Sequence, residues 1–493
     1  MDTKPTSASG LSRQLGLVGL AATGICSMLG ASIYVVPFMI QRSVPGIGPY
    51  VVPAFMLAAV PAILAALCYA SLASVMPRAG GSYVYASRGL SPYLGFVASF
   101  SQWFGLCIAI GVVSYVIPPF FRDICTALDY PELSRFLDTG WIRVSVSLLL
   151  LWTFVLINIR GAKAYERTVI PLMILMFALG IIVIIAGFSF DHEDFQRSLT
   201  SSGQFWQPNT SSSSSFSWNI IWSGAAVLFA SFIGFDSIAQ AGGEAKHPQR
   251  NLPLAIGISV GVVGSFYLLF TLAVYHAVPW QFIADEAARH DITAPALMRY
   301  FLSPGWTVAM VAGAAVALTN DLPAMLLSVS RLMFSWAEDG MFPIQVTRIH
   351  PRYQTPHVAL VISGCVASLG ILGSHLAGDF FLGVDILVTS MLVNFLLMAV
   401  TLLMIRKRNP DLASAMTLFR SPMQRLFLGW ISMIALLLFL VIHVQKDLTA
   451  EVPWYLHTTL VWIAVMITGS IIFIQHWRSS VDPQEKFSRL PPE

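Results

Sequence analysis

The chain has 493 residues, 56% of them hydrophobic and 11% charged, with a net charge of +3 and a mean hydropathy of +0.72. This composition excludes a string of soluble domains, and the small net charge gives no indication of a polyanion-binding surface or a nucleic-acid partner. It predicts an all-α polytopic membrane protein whose solvent is the lipid bilayer.

About twelve apolar segments are long enough to cross a hydrocarbon core of about 30 Å, which takes about 20 helical residues. They are expected at 14–40, 47–73, 92–121, 141–158, 168–189, 218–242, 252–279, 306–336, 356–376, 380–405, 425–444 and 453–477. With the N-terminus inside, roughly 20 of the 28 Lys and Arg fall in cytoplasmic loops, whereas Asp191, Glu193, Asp194, Asp285, Glu286 and Asp291 fall outside. The asymmetry predicts a multi-pass protein of the cell membrane (the inner membrane in a Gram-negative cell) with both termini cytoplasmic. The chain then divides into an N-terminal tail (1–12), five spans (13–189), an outer loop (190–217), five further spans (218–405), a last pair (406–477) and a C-terminal tail (478–493). Of the five cysteines only Cys125 falls outside the expected helices, so no disulfide framework is implied. The first apolar segment lacks a small-residue cleavage site and is read as a retained helix.

In chain order, the first span, GLVGLAATGICSMLGASIYVVP, gathers small residues around Gly24, Gly30, Ala31 and Ser32. Such sequence is poor helix material, and two readings account for it: local unwinding that aims N–H groups at an anion, or close packing of neighbouring helices. The second span ends at Pro77, Arg78, Gly80 and Gly81, where Arg78 is either part of an inner gate or a positive-inside anchor. The serine-rich, acidic stretch from 190 to 217 reads as a flexible loop, and its Asn209-Thr210-Ser211 fits a glycosylation sequon, a cheap match. In the sixth span, FASFIGFDSIAQAGGEAKHPQRNLPLAI, an apolar helix breaks at Gly234 and restarts before a basic exit. Backbone groups freed at membrane depth must be satisfied by protein, water, ions or substrate, so this break is the first candidate for a site. Asp236 just beyond it is either a functional carboxylate or a cap on the restarted helix. The stretch from 280 to 304 has the makings of a short outer helix. The eighth span carries Thr319, Asn320 and Asp321 mid-helix, with Met325 on the face of Asp321. A carboxylate facing lipid costs on the order of 3 kcal/mol or more, so Asp321 is either functional or tied structurally to a neighbouring helix.

Interruptions in the first and sixth spans lie five spans apart, as expected of a five-helix unit repeated with inverted topology. Half-helix N-termini would present N–H groups to a carboxylate, and freed carbonyls would accept from an ammonium. A zwitterion fits, with Gly30, Ala31 and Ser32 on its carboxylate and the backbone around Ser231, Phe232 and Ile233 on its amine.

Four strings in order, LGASIYVVP (29–37), LCYASLASVMPRAGGSYVYA (67–86), GFDSIAQAGGEAKHPQRNLPLAI (234–256) and SRLMFSWAEDGMFP (330–343), resemble the amino acid-polyamine-organocation superfamily, and within it the cationic amino acid transporter branch. The resemblance spans most of the chain. It implies a LeuT-like fold of ten core helices in two inverted repeats plus two C-terminal helices, with alternating access to a central site for an amino acid or amine. Position by position, Gly30, Ala31 and Ser32 match the substrate-carboxylate loop, Ser231 to Gly234 match the unwound segment facing the amine, and Met325 matches a pocket position of the eighth span. Ser27, Ala230 and Asp321 complete the candidate substrate site. Phe229, Asp236, Asn320, Arg78 and Glu244 are candidates for coupling or gating.

Departures from the family's pattern are informative. Ser32 stands where glycine is usual, Ala230 where many relatives have an aromatic gate that Phe229 could replace, Gly243 where the first acid of a Glu-Glu pair is usual, and Ser71 where an acid is common. Glu244 is left to pair with inner basic residues. A fifth-span lysine that some proton-coupled relatives carry near Met176 is absent, so sodium coupling, proton coupling through Asp321 or Asp236, exchange and uniport all stay open. The expected function is secondary transport of an amino acid, without covalent chemistry, cofactor or metal. Its alternatives are a polyamine or decarboxylated-amine exchanger and a membrane amino acid sensor that does not transport. No metal-ligand helix pair, GxSxG elbow or P-loop occurs, which speaks against an enzyme or a primary pump. A homo-oligomer or an accessory subunit remains open.

Overall fold

A computed structural model of the chain describes residues 13–479 except 129, 202, 204–205, 207–215, 290–291, 303 and 378–380, together with 487 and 490. The side chains of 30–32, 123, 126–127, 138, 162–163, 304, 377, 381 and 479 also lie outside the description. Lipid offers the backbone no hydrogen-bond partner, so each apolar run satisfies its own N–H and C=O groups by coiling. Among the described residues twelve helices are long and apolar enough to cross a membrane. They are α1 (Leu17–Ser43), α2 (Val51–Ala73), α3 (Pro92–Ala127), α4 (Gly140–Ile159), α5 (Ala162–Ser189), α6 (Trp218–Gln240), α7 (Pro248–Ala277), α8 (Pro304–Glu338), α9 (His357–Ala377), α10 (Phe381–Arg408), α11 (Pro422–Leu448) and α12 (Thr458–Ser479). The described residues form no strand, only isolated bridges between Leu15 and Ala245 and between Ala79 and Ala241.

Each expected span overlaps one of these helices, with boundary shifts of a few residues. α5 starts earlier than expected, and Glu166 near its start lies against Gly19 of α1. α12 starts late because Trp454–Leu456 form a separate tight turn after Pro453. The expected unwinding at Gly30, Ala31 and Ser32 falls outside the residues whose side chains are described; α1 is assigned as one helix over Leu17–Ser43.

One expectation is corrected. The stretch from 190 onward begins with a helix, His192–Ser201, rather than a flexible loop. Its Phe195 is fully buried and packs against Phe282, Tyr300 and Phe301 from a cap that includes the helices Trp280–Arg289 and Ala294–Met298. Asp191 starts that helix by accepting from the N–H groups of Asp194 (3.0 Å) and Glu193 (2.9 Å), which holds its carboxyl below the ordinary carboxylate range. The rest of the stretch, including Asn209, lies outside the described residues.

Burial sorts the helices into an inner set and a shell. The most apolar window of α1 is 100% buried and those of α6 and α8 are 83%, against 28% for α4, α5 and α12. α8 packs on α3, α1 and α5, and α10 packs on α3 and α11. The broken helix therefore sits between buried helices that present side chains to it from several sides.

Candidate functional site

The sixth span breaks in steps. An α-helix over Trp218–Leu228 tightens into a 3-10 turn at Phe229–Phe232, Ile233 is extended (φ −75°, ψ 134°), Gly234 has φ 137°, and helix resumes over Asp236–Gln240. A Cβ at Gly234 would lie 2.3 Å from the Ser27 carbonyl oxygen, so both the positive φ and the approach to α1 require glycine. Among the described residues no hydrogen bond reaches the carbonyl oxygens of Ser231, Phe232 or Ile233. Such acceptors are costly at membrane depth unless something else is bound to them.

Beside this break, α1, α3, α6, α8 and α10 enclose a cavity of about 60 Å3. Its walls are Ser27, Val35 and Val36 of α1, Ala109, Val112, Val113 and Val116 of α3, Ala230 and Ile233 of α6, Asp321 and Met325 of α8, and Val384 and Leu387 of α10. Among the described residues only Ser27 and Asp321 bring polar side chains to it. One carboxylate in a small, branched, apolar chamber suits a ligand with one cationic group and a compact apolar body.

Below the cavity the break is braced by a buried polar network. Ser27 and Ser237 hydroxyls share a hydrogen bond of 3.0 Å between α1 and α6. The Asp236 carboxylate accepts from the Gly234 N–H at 3.1 Å and from the Gln102 amide of α3. The Gln102 carbonyl oxygen in turn accepts from Ser82 (2.5 Å) and Gln240 (3.1 Å). Asp236 thus bonds backwards across the break, whereas the cap position of the restarted helix is Phe235, which makes no side-chain cap bond.

The end of the bundle beyond this network is closed. Arg331 of α8 meets Glu244 through two nitrogens on one oxygen (3.0 and 2.5 Å), both side chains nearly fully buried. Arg88, in the short helix Gly81–Gly89, holds Asp339 bidentately at 2.5 and 2.9 Å. The chain ahead of α1 joins the closure, with the N–H groups of Gln14 and Leu15 both 2.9 Å from the Glu244 carbonyl and the Lys246 N–H 2.8 Å from that of Leu15.

A family model described as "Amino acid permease" matches residues 15–468, which takes in all of these elements. The chain belongs to the amino acid permease family. Among curated relatives, the chain is 25% identical to the "Branched-chain amino acid permease BcaP" of Bacillus subtilis over 88% of this chain and 91% of that one. It is 27% identical to the human "Cationic amino acid transporter 4" over 76% of this chain, spanning 56% of the relative's length. It is 24% identical to the "Low-affinity putrescine importer PlaP" of Escherichia coli over 67% of this chain and 66% of that one.

In this permease the structure brings Ser27, Ala230, Ile233, Asp321 and Met325 to one cavity. Gly30, Ala31 and Ser32 lie outside the described side chains. Ser231 is buried with its hydroxyl unpartnered among the described residues, and Gly234 is the crossing point with α1. Phe232 turns away to pack edge-on against Phe55 of α2 at 5.5 Å. Phe229 lies against Phe395 and Phe439 at about 6 Å, on the α10 and α11 side, and does not line the cavity. Asn320 does not line the cavity; it donates to the Cys26 sulfur (2.9 Å) and the Val169 carbonyl (3.4 Å). Arg78 is half-buried, in a segment that packs on Gly242 and Gly243. A side chain at Gly242 would lie 2.7 Å from the Arg78 carbonyl oxygen and one at Gly243 3.0 Å from the Ala79 Cβ, which accounts for the missing acid.

Sequence reasoning missed the third-span and tenth-span walls. Ala109, Val112, Val113 and Val116 share one helical face, but an apolar face of this kind reads equally as packing against a neighbour. Arg331, Arg88 and Asp339 stood in or beside quoted motifs without being picked out as partners.

Proposed function

We propose that this permease is a secondary transporter that carries a small neutral amino acid with an apolar side chain across the cell membrane by alternating access. The observation that carries the reading is the cavity itself: a single carboxylate, Asp321, beside a break whose carbonyls at 231–233 accept no hydrogen bond among the described residues, with valine, alanine and leucine around the remainder. In this reading the substrate ammonium sits between Asp321 and the break, its side chain lies among Val112, Val113, Val116 and Val384, and its carboxylate meets the Gly30 to Ser32 stretch of α1. A second basic group would find no further acid among the cavity's walls, which favours neutral over dibasic substrates. The extent of the match to a branched-chain amino acid permease supports the same choice.

The closed end is the cytoplasmic gate, held by Glu244–Arg331 and Arg88–Asp339, and both termini are cytoplasmic. The transporter works without covalent chemistry, cofactor or metal, and its coupling ion is a proton carried by Asp236. This carboxylate is fully buried, held by the Gly234 N–H and the Gln102 amide, and has no cationic partner among the described residues, an arrangement that is costly at membrane depth unless the group takes up a proton or a cation. Sodium in place of the proton is the alternative that the same observation allows.

Uptake into proteoliposomes tests the reading, with labelled alanine, valine, leucine, arginine and putrescine under a pH gradient, a sodium gradient and neither. Saturable uptake of the neutral amino acids is expected. Uptake of putrescine or arginine alone overturns the substrate assignment and supports the amine-exchanger reading, which Asp321 also permits. Binding of label without accumulation or exchange would identify a sensor instead.

A further inference from the structure

A second cavity, of about 1170 Å3, is much larger than the central one. It is a groove between α2 and α7 on the flank of the bundle, running along α7 from Gln249 to Leu268 and on α2 from Phe55 to Ala70. At a rise of about 1.5 Å per residue those limits set a groove of about 28 Å, close to the thickness of a hydrocarbon core. The groove exists because α7 has no side chains where it would otherwise be filled: a Cβ at Gly257 or Gly261 would meet nothing within 4 Å. Its floor includes Phe232, at the break in α6, whose ring would stand 3.5 Å from a Cβ at Gly264.

Chemistry differs between the ends of this apolar groove. At the α7 N-terminus Arg250 lines the mouth, exposed and with no side-chain hydrogen bond or ion pair among the described residues. The positive end of the α7 dipole lies at the same place. Among the described residues no carboxylate lines the groove. A cation at the mouth of a bilayer-deep apolar slot is complementary to one molecule class, an anionic phospholipid.

We propose that this groove is a binding site for an anionic phospholipid of the cytoplasmic leaflet, with its phosphate at Arg250 and an acyl chain laid against Gly257, Gly261 and Phe232. A lipid so placed touches the broken helix from the side opposite the cavity, so its occupancy stiffens the segment that alternating access must rearrange.

Native mass spectrometry of the full chain in detergent, titrated with phosphatidylglycerol or phosphatidylcholine, reads the site without reference to transport or orientation. The intact protein is expected to hold the first phosphatidylglycerol about fivefold more tightly than phosphatidylcholine, the contribution of one basic residue near a membrane surface. Arg250→Gln should bring the two lipids level, while Arg250→Lys keeps the preference and serves as the folding control. Gly261→Leu fills the groove without a clash and should weaken retention of both lipids. Equal binding by the unmodified protein, or a preference that survives Arg250→Gln, overturns the headgroup assignment. Unchanged retention in Gly261→Leu overturns the acyl-chain assignment and leaves an annular lipid at a surface arginine.

Discussion

Asp321 and Asp236 are both buried carboxylates near the break, yet they lie in different surroundings and the roles proposed for them differ. Asp321 lines the cavity among valines, where a substrate ammonium is the complementary charge. A hydrogen bond to a charged group contributes about 1.5–3 kcal/mol, so Asp321→Asn should raise the KM for uptake by about tenfold to a hundredfold with little change in protein yield. An unchanged KM would remove Asp321 from the site. Asp236 has no wall of the cavity and is held by the Gly234 N–H and Gln102. Its substitution by Asn keeps the shape and removes the group proposed to carry the proton. A one-unit pH gradient drives at most about tenfold accumulation per proton, about 1.4 kcal/mol, and Asp236→Asn should abolish that accumulation while substrate exchange persists. Accumulation that survives the substitution would place coupling elsewhere.

At the scale of the element, α6 is a helix made to fail at one residue. The positive φ of Gly234 and its contact with the Ser27 carbonyl act together. Gly234→Ala should cost about 2–4 kcal/mol, combining left-handed backbone strain with overpacking, and should show as a lowered melting temperature together with lost binding. Full stability in that variant would mean that α1 and α6 can separate cheaply. The break was legible in the chain because glycine followed by an aspartate within an apolar run is a poor continuation of a helix. Its exact form was not, since the 3-10 turn at Phe229–Phe232 and the outward packing of Phe229 and Phe232 depend on aromatic neighbours on α2, α10 and α11.

For the whole molecule, the cavity is closed toward the end where Glu244–Arg331 and Arg88–Asp339 lock α8 to the α6–α7 connection and to the helix Gly81–Gly89. Removing one member of a buried pair leaves the other charge uncompensated, at about 3–5 kcal/mol. Glu244→Gln should therefore lower the melting temperature and raise the reactivity of cysteines placed beside the cavity to membrane-impermeant reagents from the side that this pair closes. The double variant Glu244→Leu, Arg331→Met should recover most of the stability, because it leaves no unpaired charge, while the gate stays leaky. Recovered stability with a tight gate would show that the pair is not what closes this end.

Hydrophobic run length alone determined the number and order of the spans, because lipid forces every apolar run of sufficient length into a helix whatever its neighbours are. Glycine and acid placement likewise marked Gly234 and Asp321 before any contact was known. Partner choice was decided only in three dimensions. Glu244 and Arg331 are 87 residues apart and Arg88 and Asp339 are 251 apart, and the valines of α3 became cavity walls only when α10 and α8 left a space in front of them. An apolar side chain carries no mark of whether it will face a helix, a lipid or a substrate; the packing of the other helices supplies that distinction.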